Sequence, residues 1–340
     1  MRRRTVIKAS ALLTLGALSA TGLNSCGNAT QTAAPKDGSQ LPAGPLRVAL
    51  VPWLGWGQAH IAEVKDFFKA EGIEVEQTIF QTVSEANTAL LSNKVDLLWA
   101  VAADLVVLSQ TSPDLKFILV SDYSGDVDGI LGTPIKSAEE AKGKTFARED
   151  VPYEIVFMGK YLETLGLTEK DVNIVPLTVP DGAAALVAGK VDAVTLYEPF
   201  VSTVFKERSD VEVLFSPAGT NIIINGLIAQ GAAIANRRAD ILAYMRALNQ
   251  AVDFAKTNLA EAHELIGKWV GLKGEEVTAL MTKVDLLDLA ENKQVAFNPQ
   301  NKLNVANSID SAVPILVGAG KVTKSAPGAS FVDASFVEAL

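Results

Sequence analysis

The chain of 340 residues carries 39 acidic against 30 basic side chains, a net charge of −9, and four of the basic ones fall within its first eight residues. Such an acidic surface argues against a nucleic-acid partner, which needs a cationic footprint. Hydrophobic residues make up 49% of the chain, enough for a large core, and the length favours two domains.

Residues 1–26 predict an export signal with a lipobox. The apolar run from Ala9 to Leu23 is too short, and too diluted by Ser, Thr and Gly, to span a membrane. The stretch from Arg3 to Lys8 resembles a twin-arginine signal, and Leu23-Asn24-Ser25-Cys26 resembles a bacterial lipobox, although Asn24 is unusual there. We expect a lipid on Cys26, the only cysteine; a plain cleaved signal is the alternative.

Residues 27–45 are rich in Ala, Gly, Thr, Gln and Pro without periodicity, which predicts a flexible tether. A lipid-bearing cysteine followed by a tether describes an exported protein that is anchored to the outer face of the cytoplasmic membrane, in the periplasm. A single cysteine also argues against internal disulfides and cysteine-based metal sites.

Strand and helix patterns alternate after the tether. The predicted strands are 46–51, 73–80, 95–101, 115–120, 144–147, 172–177 and 191–197, and the predicted helices are 61–72, 85–91, 153–165 and 183–188, with an almost wholly helical stretch over 237–317. Ser137 and Glu140 form the pattern of a capping box. This alternation predicts an α/β fold with mainly parallel sheets.

One segment of the chain is repeated. Residues 89–101 read ALLSNKVDLLWAV and residues 185–197 read ALVAGKVDAVTLY. Asn93 and Gly189 hold the same place in the two copies, and both residue types tolerate the left-handed conformation that ends a helix. A helix that ends before a strand is common in α/β proteins, but the repeat and the chain length together favour two similarly built lobes.

The second copy belongs to a series of segments that resembles a known family. The series comprises Gly143–Glu149, the helix up to Gly166, Asp171–Val175, Ala188–Ala193 and Tyr197-Glu198-Pro199. It is similar to the solute-binding proteins of ABC importers for nitrate, taurine and alkanesulfonates, a group that includes thiamine-pyrimidine-synthesis-like proteins. The resemblance covers residues 46 to about 235, and no single motif in it is diagnostic.

The resemblance implies a periplasmic-binding-protein type II fold, with two α/β lobes joined by a two-segment hinge. Lobe I would comprise 46–130 and 222–340, and lobe II 131–221, with hinge crossings near 126–131 and 221–229. A small-molecule solute would bind in the cleft, the lobes would close, and a membrane permease with its ATPase subunit would receive the solute. A ligand that touches both lobes favours the closed state by its additional contacts. We expect a monomer without cofactor, metal or catalytic residues.

The stretch VPWLGWGQAH over 51–60 is the first candidate for the site, because ligands of open α/β sheets bind beyond the carboxyl ends of strands. Trp53 and Trp56 can form flat walls with indole N–H donors. We expect at least one of them, Trp56 first, to face the cleft; the alternative is that one of them simply packs into the lobe. Gly55 and Gly57 are predicted to let the backbone turn sharply and approach the ligand.

By the same rule, residues after the next two strands are candidates: Gln81, Thr82, Ala102 and Ala103. The small side chains of Ala102 and Ala103 would leave helix amides uncovered, a suitable seat for an anion. Asp104 is predicted to be a helix N-cap rather than a ligand contact.

Candidates in the second lobe and at the crossings are Asp122, Arg148, Tyr153, Tyr197, Glu198 and Asn221. Arg148 either pairs with a carboxylate or sulfonate or forms a salt bridge with Glu149 or Asp150. Glu198 either receives an ammonium group or complements the start of the next helix. The carboxylates at 122–128 either face a ligand amine or form turns. So many acids against one arginine favour a zwitterion or neutral polar ring over a bare anion.

Two other functions remain open. The first is an enzyme that resembles the pyrimidine-synthesis proteins of this fold, although their chemistry depends on histidine and a cysteine-rich segment and this chain has one cysteine and two histidines, His60 and His263. The second is a sensor that signals to a membrane partner. The Gly143-Lys144-Thr145 triplet is not a phosphate loop, since it precedes its strand and Ala138 replaces the first glycine.

Overall fold

The computed structural model describes residues 44–340. The predicted signal peptide, Cys26 and nearly all of the tether lie outside the described residues. Within the described range, none of the helices combines the length and the apolar character needed to cross a membrane.

Eleven strands in the described range form two mixed sheets. The strands are β1 Leu46–Leu50, β2 Val75–Ile79, β3 Leu97–Val101, β4 Lys116–Ser124, β5 Asp128–Gly132, β6 Thr145–Arg148, β7 Asn173–Pro176, β8 Ala193–Tyr197, β9 Glu212–Phe215, β10 Ile224–Ala229 and β11 Val284–Leu286. The first sheet has the order β11-β4-β10-β3-β1-β2, and the second has the order β7-β6-β8-β5-β9. We call the part of the chain built on the first sheet the first lobe, and the part built on the second sheet the second lobe.

The chain passes from the first sheet to the second between β4 and β5, and returns between β9 and β10. These crossings occupy 125–127 and 216–223. The boundary predicted between 130 and 131 therefore falls inside β5, all of which pairs within the second sheet. The return boundary predicted between 221 and 222 falls within the second crossing.

The prediction of mainly parallel sheets is wrong. β1 is parallel to β2 and β3, but β10 is antiparallel to both of its neighbours, β3 and β4, and β11 is antiparallel to β4. The second sheet likewise pairs β6 with β7 and β8 in parallel, whereas β5 is antiparallel to β8 and β9. β5 and β10 are the first strands after the two crossings. Each therefore enters its sheet from the opposite lobe and runs antiparallel to its neighbours in that sheet.

Helices cover both sheets. They are α1 Gly57–Val64, α2 Phe67–Ala70, α3 Val83–Leu91, α4 Asp104–Thr111, α5 Ala138–Ala141, α6 Pro152–Thr164, α7 Val179–Val187, α8 Phe200–Glu207, α9 Gly231–Asn236, α10 Arg238–Thr257, α11 Leu259–Val270, α12 Gly274–Met281, α13 Leu289–Glu291, α14 Val305–Gly318 and α15 Ser335–Glu338. α6 of the second lobe packs against α4 and α14, so one apolar core continues from the first lobe into the second. The predicted cap at Ser137 is confirmed: its hydroxyl accepts from the Glu140 amide at 3.3 Å.

The sequence repeat corresponds to a structural repeat. Each copy is a helix followed by a strand, α3 to β3 and α7 to β8. Thr82 and Thr178 cap the two helices by accepting from the third amide along. Asn93 and Gly189 end the two turns with φ of 57° and 66°, so the predicted left-handed conformation is confirmed at both.

The aspartates of the two Lys-Val-Asp triplets have the same structural role. One Asp96 oxygen accepts from the Arg47 amide at 3.0 Å, and one Asp192 oxygen accepts from the Thr145 amide at 2.8 Å. Each carboxylate thus fixes the start of the strand that runs parallel beside its own. A charge-assisted bond to a strand end sets the register of that pair, which explains why both copies carry the triplet.

Candidate functional site

A cavity lies where the two lobes meet, and in this closed arrangement it is narrow, with room of about 30 Å³. The carboxyl ends of β1, β3 and β8 and the first turn of α6 contribute to it. Its lining is mostly apolar and aromatic, with a few polar side chains. The lining residues are Val51, Trp53, Trp56, Val83, Ala100, Val101, Asp104, Ser124, Asp128, Tyr153, Tyr197, Ile223 and Asn225. The position agrees with the rule that ligands of α/β sheets bind beyond strand ends.

Four aromatic rings wall the cavity, two from each lobe. Trp53 meets Tyr197 of the other lobe edge to face, with ring centroids 5.8 Å apart, and Trp56 packs on Trp99 of the core at 5.8 Å. Both cavity tryptophans are about 5% exposed or less. Neither indole N–H has a hydrogen-bond partner among the described residues.

The turn between β1 and α1 places the two tryptophans. Trp53 precedes a single 3-10 turn over Leu54–Trp56, and the Trp56 amide donates to the Trp53 carbonyl at 3.0 Å. The two glycines were predicted to allow a sharp turn and a close approach to the ligand. A tight turn is present, but neither glycine lines the cavity and Gly57 has an ordinary helical φ of −56°.

The two glycines instead allow close packing behind the cavity. A Cβ at Gly55 would stand 2.6 Å from Asp122 Cγ and 2.7 Å from Trp53 Nε1, and a Cβ at Gly57 would stand 2.5 Å from Ile266 Cγ1. Gly55 therefore helps to hold the Trp53 indole in place.

Two buried carboxylates face the cavity. Asp104 is fully buried and Asp128 is 7% exposed, and one oxygen of each, Oδ2, has no hydrogen-bond partner. Burial raises the pKa of Asp104 to about 7; backbone hydrogen bonds from Tyr153 and Val101 oppose the rise, and the charge of Glu149 adds to it. Burial likewise raises the pKa of Asp128 to about 7; a hydrogen bond from Ser124 opposes the rise, and the charges of Asp122 and Glu198 add to it.

The prediction that Asp104 caps its own helix is wrong. α4 begins at Asp104 with Ala103 as the cap residue, and no side chain caps it. The other Asp104 oxygen, Oδ1, accepts from the Tyr153 amide in the first turn of α6 at 2.9 Å. The carboxylate thus crosses the cleft to the second lobe, because α6 packs against α4.

Further contacts join the lobes around the cavity. The Ser84 amide of α3 donates to Glu149 Oε1 at 3.3 Å. Lys321, after α14, donates to both oxygens of Asp150 at 2.8 Å, and this bond holds the pKa of Asp150 below its usual range. With the Asp104 bond, these contacts hold the lobes together in the structure.

The predicted anion seat at Ala102 and Ala103 lies outside the cavity. Both residues are buried and neither lines the cavity. The Ala102 amide already donates to the Ile224 carbonyl at 2.8 Å. Gln81 is exposed and Thr82 is the half-buried cap of α3, so both lie outside the lining.

Arg148 is buried in an ion-pair network rather than presented to the cavity. Its guanidinium donates to both oxygens of Glu169 at 2.7 and 3.0 Å and to Asp150 at 3.1 Å. Burial alone would lower the pKa of Arg148, but these two acids raise it. Of the two predicted roles for Arg148, the structure shows the salt bridge, with Glu169 as the added partner.

The remaining predicted residues support the site from outside its lining. Glu198 accepts from the amide and the hydroxyl of Ser202 and so complements the start of α8. Asp122 accepts from Ser121 and from the Asn225 amide group, both at 2.7 Å. Asn221 is half-buried in the second crossing and does not line the cavity.

The sequence analysis therefore placed Trp53, Trp56, Tyr153 and Tyr197 at the cavity and missed most of its polar groups. Asp104 and Asn225 lie on elements whose partners are distant in sequence. Asp128 was predicted only as one of several acids near the first crossing. Its position at the start of β5 could have distinguished it from the others, but β5 was not predicted.

The two sheets and the cleft between them show the two-lobed fold of periplasmic binding proteins, as predicted. The chain belongs to the NMT1/THI5-like family, whose model matches residues 57–262. The predicted family resemblance is thereby confirmed.

Relatives and solved structures agree with this assignment. A putative aliphatic sulfonates-binding protein of Bacillus subtilis is 24% identical over 269 residues, 78% of this chain and 77% of that protein. The alkanesulfonate-binding protein SsuA of Xanthomonas axonopodis pv. citri, bound to MOPS, superimposes with a TM-score of 0.67 at 16% identity over 85% of this chain and 98% of that one. SsuA of Escherichia coli gives 0.68 at 17%, over 85% and 92%.

The same fold also occurs in a desulfurization enzyme, DSZB. That structure superimposes with a TM-score of 0.60 at 12% identity, over 87% of this chain and 98% of that one. Because the fold supports both binding proteins and an enzyme, the function has to be argued from the residues of the cleft.

Proposed function

We propose that the chain is the extracytoplasmic solute-binding component of an ABC importer. It captures a small solute between its two lobes and delivers it to a membrane permease that works with an ATPase subunit. The observation that carries the proposal is the cavity at the lobe junction. Both lobes contribute aromatic side chains to its lining, and several of its buried polar atoms have no hydrogen-bond partner. The names of the Bacillus, Xanthomonas and Escherichia relatives, all sulfonate-binding proteins, support the class of function.

Closure of the two lobes on the solute is part of the proposal. The predicted bounds are 46–130 with 222–340 for lobe I and 131–221 for lobe II. We keep them except at the first boundary, which moves to the start of β5 so that the whole strand belongs to lobe II. Two short crossings, 125–127 and 216–223, are suited to absorb a rotation between rigid lobes. A solute seated among Trp56 and Tyr153 touches both lobes, so its binding energy favours the closed form.

The distribution of histidines supports a binding role over catalysis. His60 stacks on Trp269 at 5.7 Å, and His263 pairs with the Thr278 hydroxyl at 2.8 Å. Neither lines the cavity. Burial lowers the pKa of both rings, which fits residues that pack rather than transfer protons at a site.

The proposal includes export, a lipid on Cys26, and a monomer held near the permease by its tether. The lipobox and the basic N-terminus support this location. Candidate solutes are small sulfonates, nitrate-like anions and zwitterionic or heterocyclic solutes.

Binding by the full chain tests the proposal. Calorimetry and tryptophan fluorescence with taurine, ethanesulfonate, nitrate, bicarbonate and aminopyrimidines should give a saturable signal with at least one solute. Trp56→Phe, which keeps the apolar wall and removes the indole donor, should weaken that binding. Trp269→Phe is the matched control, since Trp269 lies outside the cavity, and should leave it unchanged. No binding in any case, or equal effects of the two variants, would overturn the proposal.

A further inference from the structure

The charge of the cavity narrows the class of solute. None of the residues that line it, all within the described part of the chain, is basic, whereas Asp104 and Asp128 are acidic. Both side chains are more than nine-tenths buried and line the cavity, and one oxygen of each has no hydrogen-bond partner. A buried oxygen of this kind is costly unless a donor reaches it, so the ligand is expected to bring donors.

Carboxylates of the chain accept from amides at the starts of three helices, whereas α1 and α4 begin without a side-chain cap and the first residue of α4 is itself the acid Asp104. Helix N-termini are the usual anion seats. The Tyr153 amide of α6 is bonded to Asp104, the Ser84 amide of α3 to Glu149, and the Ser202 amide of α8 to Glu198. Each of these three helix starts therefore presents a negative group where a sulfonate would need a positive one.

Arg148, the arginine that was predicted as a possible ligand contact, is engaged by carboxylates of the chain. Arg148 donates to both oxygens of Glu169 and to Asp150, and it does not line the cavity. An anion entering the cleft would lose its hydration and meet two unpaired carboxyl oxygens without a compensating cation. Desolvation of a charge that remains unpaired costs several kcal/mol, so the arrangement selects against anions.

The aromatic walls suit a cation. Tyrosine and tryptophan rings attract a positive charge placed over their faces, and Trp53, Trp56, Tyr153 and Tyr197 surround the cavity. The two unpartnered indole N–H groups also need acceptors. A ligand with one protonated nitrogen and an acceptor on the same compact body would satisfy both sets of atoms.

We infer that the cavity binds its solute through a protonated nitrogen, an ammonium or amidinium group held by Asp104 and Asp128 between the aromatic walls. This inference rests on the proposed solute-binding function and names its ligand class. The raised pKa values of Asp104 and Asp128 agree with it, because the empty cavity would hold these carboxyls partly protonated and a bound cation would stabilise their charged forms.

Matched probes of different charge test the inference. Melting temperature and tryptophan fluorescence of the full chain would be measured at pH 8 with benzamidine, benzamide and benzoate, which share one shape and differ in charge. Taurine and ethanesulfonate form a second pair that differs by an ammonium group. Benzamidine and taurine should raise the melting temperature and bind saturably, whereas benzoate and ethanesulfonate should not.

Two variants link the binding to the carboxylates. Asp104→Asn and Asp128→Asn keep the shape of each side chain, and loss of one charge-assisted hydrogen bond should weaken the cationic probes by roughly tenfold to hundredfold. Glu139→Gln, a change at an exposed acid on α5, is the control and should have no effect. Circular dichroism would show that each variant is folded.

The outcomes separate this inference from the proposed function. If sulfonates or benzoate bind and the two Asn variants bind them more tightly, the cation inference is wrong while the solute-binding function stands. Tight binding of neutral benzamide equal to that of benzamidine would also refute it. If none of the probes binds and native mass spectrometry of the purified protein finds no small molecule, both are overturned.

Discussion

Asp104→Asn should stabilise the protein without ligand at pH 8. The wild-type carboxyl is fully buried, with a pKa raised from 3.8 to about 7 mainly by burial. The folded state therefore binds its proton more tightly than the unfolded state does. Stability from this group is greatest below pH 4, is lost as the pH rises from 3.8 to about 7, and is constant above that.

The magnitude follows from the size of the shift. A rise from 3.8 to about 7 corresponds to about 4 kcal/mol of lost stability at pH 8. The Asn oxygen keeps the bond from the Tyr153 amide. Its N–H group replaces the unpartnered oxygen and costs about 1–3 kcal/mol if it finds no acceptor. The net gain at pH 8 is then about 1–3 kcal/mol, or about 2–4 °C in melting temperature for each kcal/mol.

Thermal unfolding of the full chain at pH 5 and pH 8 measures the effect. The difference between variant and wild type should grow from pH 5 to pH 8, because the wild-type carboxyl ionises in that window. Glu139→Gln, at an exposed position, should track the wild type at both pH values. A variant that is less stable than the wild type at pH 8, or a difference that does not change with pH, would show that Asp104 is not a strained buried acid.

The remaining predictions concern the cavity, the anchor and pH. Gly55→Ala should weaken solute binding and cost about 1–3 kcal/mol, because its Cβ would displace Asp122 and Trp53; Gly318→Ala, with no atom within 4 Å, should be neutral in binding titrations and melts. Cys26→Ser should move the protein from the membrane to the soluble fraction in cell fractionation; continued membrane association would contradict the lipid anchor. Binding of benzamidine should weaken by about fivefold for each carboxyl of pKa about 7 that must deprotonate when the pH falls from 7 to 6, and calorimetry in buffers of different ionisation enthalpy should detect proton release; affinity independent of pH would refute this coupling.

Local sequence was sufficient to predict most of the βα units. The repeat around Asn93 and Gly189 predicted two lobes because helix termination and strand start are local events. The strands that were missed are β5, β9, β10 and β11. β5 pairs with β8 and β9, and β10 pairs with β3 and β4, so each of these two strands has a partner on both sides. Their pairing depends on long-range contacts that local periodicity does not report.

The aromatic part of the site was predictable, and the electrostatic part was not. Trp53 and Trp56 follow a strand directly, so the strand-end rule places them at the cleft. Asp104 also follows a strand, but its role depends on the approach of α6, whose first turn it bonds to across the lobes. Arg148 was predicted as a possible ligand contact because its main partner, Glu169, lies 21 residues away in sequence and could not be recognised from local sequence.

The central claim is that a solute sits between the lobes, and a crystal structure with a bound probe tests it most directly. Crystals would be grown with the probe that gives the largest rise in melting temperature. We predict density for the probe between Trp56 and Tyr153, in contact with residues of both lobes. Density at any other surface, with the cavity empty under saturating probe, would contradict the account.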